Sequence, residues 1–123
     1  MEIEGNIEFT VTERTDDYVL GEMPVQPGIL NPFGHTHAAA MLWLADVCAT
    51  VLAHSSTEIV PGAAGFPLLV QMSASVVGNQ KDGVIKARSE FVKRGRRLQV
   101  VRTIVTGDGD RTLVDVTTSH IPA

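Results

Sequence analysis

Thiols and large aromatics are nearly absent from this chain: one Cys, one Trp and one Tyr in 123 residues. A single thiol, Cys48, closes no intrachain disulfide, so packing alone must hold the fold, and a reducing compartment is expected. Positive charge is also scarce. Ten Lys and Arg against 14 Asp and Glu give a net charge of −4, the wrong sign for a nucleic-acid or anionic membrane surface. No apolar run is long enough to cross a bilayer: Ala38–Ala53 has 16 residues against the roughly 20 required, with Asp46 near its centre. The acidic start Met1-Glu2-Ile3-Glu4-Gly5 leads into no apolar core, which argues against a secretory signal and makes a cytoplasmic location the expectation. Repeats, linkers and low-complexity segments are missing. What remains is 44% apolar and 20% charged, the balance of a globular domain, read here as one domain over residues 1–123. A chain of this size buries about two-thirds of its unfolded surface and leaves apolar surface for a partner.

Alternation predicts a first strand over Ile3–Glu13, with Ile3, Ile7, Phe9 and Val11 on one face. A second, Tyr18–Val25, follows the turn Thr15-Asp16-Asp17. Pro24 and Pro27-Gly28 end regular structure, Leu30–His37 reads as a loop, and a long helix runs from about Thr36 to Ser55. A connection bearing Pro and Gly, Ser55–Pro67, leads back to strands at Leu68–Val77, Val84–Lys93, Leu98–Thr106 and Thr112–His120. Turn residues at 78–83, a bend at Gly95 and Gly107-Asp108-Gly109-Asp110 separate them. Closely spaced strands pair antiparallel, so the fold class is α+β: one helix against a curved antiparallel sheet. The helix covers one sheet face only, and open edges with leftover apolar surface favour a homo-oligomer.

Asp46 is the only charged residue between His37 and His54. A helix apolar on nearly every side is expected to be buried all round. A carboxylate there costs several kcal/mol unless paired or hydrogen-bonded, a cost met mainly where the group is used. Asp46, Thr50 and His54 at i, i+4 and i+8 form a polar stripe, and the Thr50 hydroxyl can bond Asp46 or hold a water beside it. Such a carboxylate is a candidate general base or nucleophile. The competing reading is a cap on a neighbouring loop. Cys48, off the stripe, reads as core, and His54 as structural. Before the helix, Asn31-Pro32-Phe33-Gly34-His35-Thr36-His37 delivers the chain to a helix N-terminus, where free N–H groups and the dipole suit an oxyanion. The N–H groups of His37 and Ala38 are the expected donors, and Ala38, Ala39 and Ala40 let a substrate approach the backbone. An ordinary cap by Thr36 or His37 is the alternative. His35-x-His37 lacks a third ligand, so no metal is expected.

Asn31-x-x-Gly34-x-x-His37-Ala38-Ala39, followed by Leu44-Ala45-Asp46 nine residues past the His, resembles the acyl-CoA thioesterases of the phenylacetate-pathway (PaaI-like) type, with a pattern Asn-x-x-Gly-x-x-His-Gly-Gly then Leu-Ala-Asp/Glu. The resemblance covers nearly the whole chain. It implies a hotdog fold, a long central helix wrapped by a curved antiparallel sheet of five to six strands, and hydrolysis of an acyl-CoA without further cofactor. It assigns Asp46 as general base or nucleophile, Asn31 and His37 as shaping the site, the Ala38 N–H as polarising the thioester carbonyl, and Thr50 as positioning water. It implies a homodimer or dimer of dimers whose site is shared between subunits, and it places CoA phosphates near Lys93-Arg94-Gly95-Arg96-Arg97. Four cations around a Gly suit a phosphate; a solvated hairpin tip is the plainer reading.

Two departures stand out. Ala38-Ala39 replaces the family's Gly-Gly and adds two methyls. Phe66-Pro67-Leu68-Leu69 carries no hydroxyl where many relatives have Ser or Thr. Both favour the alternative of a non-catalytic acyl-CoA-binding protein. A third reading, an enoyl-CoA hydratase or dehydratase, rests on the echo Asn31-Pro32-x-Gly34-His35, but that branch carries an Asp where Leu30 stands here. Trp43 and Phe33 are candidates to line an acyl or aryl pocket.

Overall fold

The computed structural model describes residues 1–54, 62 and 65–122. Six strands and one long helix follow in order: β1 (Thr10–Arg14), β2 (Tyr18–Pro24), α1 (Ala38–Ala53), β3 (Pro67–Val76), β4 (Val84–Arg94), β5 (Gln99–Thr106) and β6 (Thr112–Pro122). They form one antiparallel sheet in the order β1-β2-β4-β5-β6-β3. Alternation sets its faces. Val19, Gly21 and Met23 of β2, Ile85, Ala87 and Ser89 of β4, and Val114, Val116, Thr118 and His120 of β6 are buried, while Lys86, Arg88 and Glu90 stand outward on β4. Gly21 is where helix and sheet come closest. A Cβ there would lie 2.6 Å from Cys48 Sγ and 3.1 Å from Leu44 Cδ1.

The first strand is shorter than its alternation suggests. Ile7 and Phe9 do pack against the core, but Glu8 bonds through its N–H and carbonyl to the Gln26 side chain rather than to a neighbouring strand. The connection expected over residues 55–67 lies largely outside the described residues.

The expectation that α1 is buried all round is also corrected. Ala40, Met41, Leu44, Ala45, Cys48, Ala49, Leu52 and Ala53 are buried against the sheet. Ala38, Ala39 and Trp43 are exposed, while Leu42, Asp46, Val47, Thr50 and Val51 are half-buried. One sheet covers one side of one helix, and the other side keeps an apolar surface open. The edge strand β3 adds to it, with Leu68, Val70 and Val76 exposed and Phe66 and Val77 exposed at its ends.

Candidate functional site

The helix is fixed at its start by the loop before it. Asn31 Oδ1 accepts the N–H groups of Phe33 (2.9 Å) and His35 (3.0 Å). The Asn31 N–H donates to the His35 carbonyl at 2.8 Å, and Gly34 takes the positive φ of +80° the bend requires. Asn31 thus shapes this loop through its own backbone neighbours. Phe33 projects from the tip, 84% exposed.

Thr36, only 3% exposed, is held from across the fold. Its N–H donates to Asn79 Oδ1 at 3.0 Å, its carbonyl accepts from Asn79 Nδ2 at 2.7 Å, and its hydroxyl donates to the Gln80 carbonyl at 2.6 Å. Asn79, read from sequence only as turn material, anchors the approach to α1. His37 then adopts extended backbone angles and ends the loop as the N-cap. Its N–H donates to the Ile29 carbonyl at 2.7 Å, so the expectation of a His37 oxyanion donor is corrected. The exposed Ala38 and Ala39 come next. As the first two helical residues they have no intrahelical acceptor, and their N–H groups find none among the described residues.

Asp46 stands half-buried on the open side of α1. Its carboxylate accepts the Thr50 hydroxyl at 3.2 Å and has no ion-pair partner among the described residues. The third member of the stripe, His54, ends the helix with its N–H on the Thr50 carbonyl, and its own carbonyl accepts from Arg14. Trp43, 45% exposed, shares the open side one turn before Asp46 and meets Phe9 edge to face at 4.9 Å. Cys48 is buried in the core, where desolvation pushes its thiol up to about 12.

One chain does not bring these groups together. Ala38 and Asp46 are eight residues apart on one helix, about 12 Å along its axis at 1.5 Å per residue. A thioester carbonyl within about 3 Å of one N–H cannot also meet a carboxylate that distant, directly or through one water.

The basic hairpin sits at the β4–β5 turn, closed by the Gly95 N–H on the Leu98 carbonyl. Arg94 is occupied: it bonds the Asp16 carbonyl, lies near Asp17 and stacks over Phe91. Lys93, Arg96 and Arg97 are exposed with no acidic partner among the described residues. A cleft of about 460 Å³ opens beside the hairpin, lined by Asp17, Tyr18, Arg88, Glu90, Phe91 and Arg94, and away from Asp46.

Sequence reasoning passed over His120, which is 1% exposed and faces α1 from β6. Burial lowers its pKa below the ordinary histidine value, against the Pro67 carbonyl and the Asp46 charge, which raise it. Its inward parity with Val114, Val116 and Thr118 is the signal that marks it. No group of three or more His, Cys, Asp or Glu close enough to hold a metal occurs among the described residues. No helix there is long and apolar enough to cross a membrane.

The chain matches no protein-family model, and no curated protein matches its sequence. Its fold has many solved counterparts. A thioesterase from Staphylococcus aureus superposes with a TM-score of 0.84 at 22% identity, covering 94% of this chain and 93% of that one. A hypothetical thioesterase from Streptococcus pneumoniae, solved with coenzyme A, gives 0.81 at 20% identity over 94% of this chain and 86% of that one. A thioesterase from Haemophilus influenzae gives 0.81 at 17% identity over 92% of this chain and 76% of that one. The architecture is the hotdog fold, one helix against a curved six-stranded antiparallel sheet.

Proposed function

We propose that this protein is an acyl-CoA thioesterase of the PaaI-like type, acting as a homodimer or dimer of dimers with its active site shared between two copies. The observation that carries the reading is the Asp46 carboxylate: held by Thr50, without an ion-pair partner among the described residues, and displayed on the open side of a helix whose Ala38 and Ala39 N–H groups find no acceptor among those residues. Fold likeness to proteins called thioesterases, one of them solved with coenzyme A, supports it. So does spacing. In the Staphylococcus aureus protein a Gln and a Glu, each replaced by Ala in a solved variant, stand 15 positions apart, the separation of Asn31 and Asp46 here.

The reaction is hydrolysis. Asp46 takes a proton from a water held with the help of Thr50, and the water oxygen attacks the thioester carbonyl carbon. Negative charge gathers on the carbonyl oxygen and is met by the Ala38 N–H at the dipole end of α1. Collapse breaks the C–S bond, and the departing CoA thiolate takes the proton from Asp46. About 12 Å along the helix separates Ala38 from Asp46 in one chain, which supports a site that takes the two from different copies. Asn31 holds the loop, with Gly34 at its bend and His37 at its end, that presents Ala38. The open edge of β3 and the uncovered side of α1 are the surfaces a second copy would cover. Lys93, Arg96 and Arg97 are the cations open to the CoA phosphates, with Arg94 and Gly95 building the hairpin that carries them.

One feature favours a second reading, acyl-CoA binding without turnover: the exposed Ala38 and Ala39 methyls stand where the family has hydrogen. CoA release followed with a thiol reagent, over short-chain, long-chain and aryl acyl-CoAs, separates the two. Release that falls at least about a hundredfold in Asp46→Asn is expected. Binding without release leaves the second reading. Release unchanged in Asp46→Asn contradicts the role given to that residue.

A further inference from the structure

Ala39, Trp43, Asp46 and Thr50 follow one another at spacings of four, three and four, so they share the open side of α1. Trp43, the one Trp of the chain, is 45% exposed there, while Met41 and Leu44 beside it in sequence are fully buried. It lies three residues before Asp46, about 4.5 Å along the helix axis. Part of its ring is already covered: Phe9 meets it edge to face at 4.9 Å, with the two planes at 88°. Phe9 is itself held. On one side Thr10 begins β1. On the other the Glu8 N–H donates to Gln26 Oε1 and the Glu8 carbonyl accepts from Gln26 Nε2, both at 2.8 Å. Gln26 Nε2 also donates to the Pro24 carbonyl at 2.8 Å, which ties this clamp to the end of β2. Further back the Asn6 carbonyl lies against Gly28, where a Cβ would overlap that oxygen, so the segment seats only because residue 28 has no side chain. The result is a half-exposed indole, braced from one side, one turn from the carboxylate.

We propose that Trp43, with Phe9 as its positioning residue, is the surface that contacts the acyl group and selects apolar acyl chains long enough to cover it over acetyl. This role rests on the thioesterase reading. The thioester carbonyl stands beside Asp46, and a few methylenes beyond it span the axial step of about 4.5 Å to Trp43. A hexanoyl chain therefore reaches and covers the indole, and acetyl ends short of it. Covering removes apolar area of both partners from water. The indole has few torsions and is already packed on Phe9, so little freedom is lost when a chain lies against it. An apolar contact of this kind separates substrates by about tenfold or more.

Because the chain has a single Trp, its emission reports this contact directly. The first measurement follows Trp43 fluorescence in Asp46→Asn, which keeps the thioester intact, as CoA, acetyl-CoA or hexanoyl-CoA is added, with binding read separately by equilibrium dialysis. A blue shift with hexanoyl-CoA, and none with CoA or acetyl-CoA, is expected. The second compares kcat/KM for hexanoyl-CoA and acetyl-CoA in the wild type, Trp43→Ala, Trp43→Phe and Phe9→Ala. The hexanoyl-to-acetyl ratio should fall about tenfold or more in Trp43→Ala, recover in part in Trp43→Phe, and fall less in Phe9→Ala. Lost stability alone lowers both substrates together and leaves the ratio in place. Hexanoyl-CoA that binds without shifting the emission, as when a second copy covers Trp43, overturns the acyl contact and leaves the thioesterase reading standing. An unchanged ratio in Trp43→Ala does the same. If the wild type binds acyl-CoA but releases no CoA, the thioesterase reading fails, while the emission and the ratio of dissociation constants still decide the contact. If no acyl-CoA binds, both fall.

Discussion

Asn79→Ala should unlatch the start of α1. The Asn79 carboxamide accepts the Thr36 N–H at 3.0 Å and donates to the Thr36 carbonyl at 2.7 Å. Thr36 is 3% exposed, so both backbone groups lose their partner where water enters poorly. A buried polar group left without a partner costs about 1–3 kcal/mol. Two such groups, eased by partial solvation at the half-buried Asn79, give a loss of about 2–4 kcal/mol. Urea denaturation followed by circular dichroism reads this as a lower midpoint at constant slope. Asn79→Asp keeps the acceptor but sets a carboxylate against the Thr36 carbonyl. It should be as unstable as the alanine variant at neutral pH and recover in acid, where the protonated carboxyl can donate. Thr36 lies two residues before Ala38, so CoA release should fall with stability-matched protein, by about tenfold. A midpoint within about 0.5 kcal/mol of wild type, the scatter of neutral surface changes, would refute this reasoning.

Other positions make independent tests. Gly21→Ala forces a methyl against Cys48 Sγ and should cost about 1–3 kcal/mol in thermal or urea unfolding, with part of the loss recovered by adding Cys48→Ala. Ser89 and Thr103 share a buried hydroxyl bond of 2.6 Å. Thr103→Val alone should cost about 1–3 kcal/mol, and adding Ser89→Ala should cost little more, a coupling a double-mutant cycle measures. The Cys48 thiol, pushed up to about 12 by burial, holds almost no thiolate at pH 8. Iodoacetamide should therefore label it only in denaturant, and rapid labelling of the native protein would contradict that burial.

Five strands were legible to within a residue or two: β2, β4, β5 and β6 alternate under a helix that covers one face, and the edge strand β3 is an apolar run bounded by turn residues. The first was not, since Ile7 and Phe9 bury their side chains without joining the ladder. Periodicity reports burial, and Glu8 spends its backbone bonds on Gln26 instead. The long apolar run gave away α1 but not its open side, because apolar composition is the same whether a sheet or a second copy does the covering. Asp46 was legible as a lone charge in that run, and its Thr50 bond as a spacing of four. The His37 N–H was misjudged: its carbonyl partner, Ile29, belongs to a loop path no local pattern encodes. Asn79 and His120 bond residues 43 and 53 positions away in the chain, contacts that no local pattern encodes.

The sharing of the site can be read directly by mixing two defective chains. Asp46→Asn removes the base. Ala38→Pro removes the N–H donor at the first helical position, which tolerates proline, after a His37 already extended as a residue before proline must be. Each variant alone should lose about a hundredfold or more in CoA release. Unfolded and refolded together at equal amounts, half of the dimers are mixed, and each mixed dimer holds one intact site. Recovery to about a quarter of wild-type CoA release is the result the shared site requires. Mixed dimers that form but stay as inactive as their parents would place Asp46 and Ala38 in separate roles and contradict it.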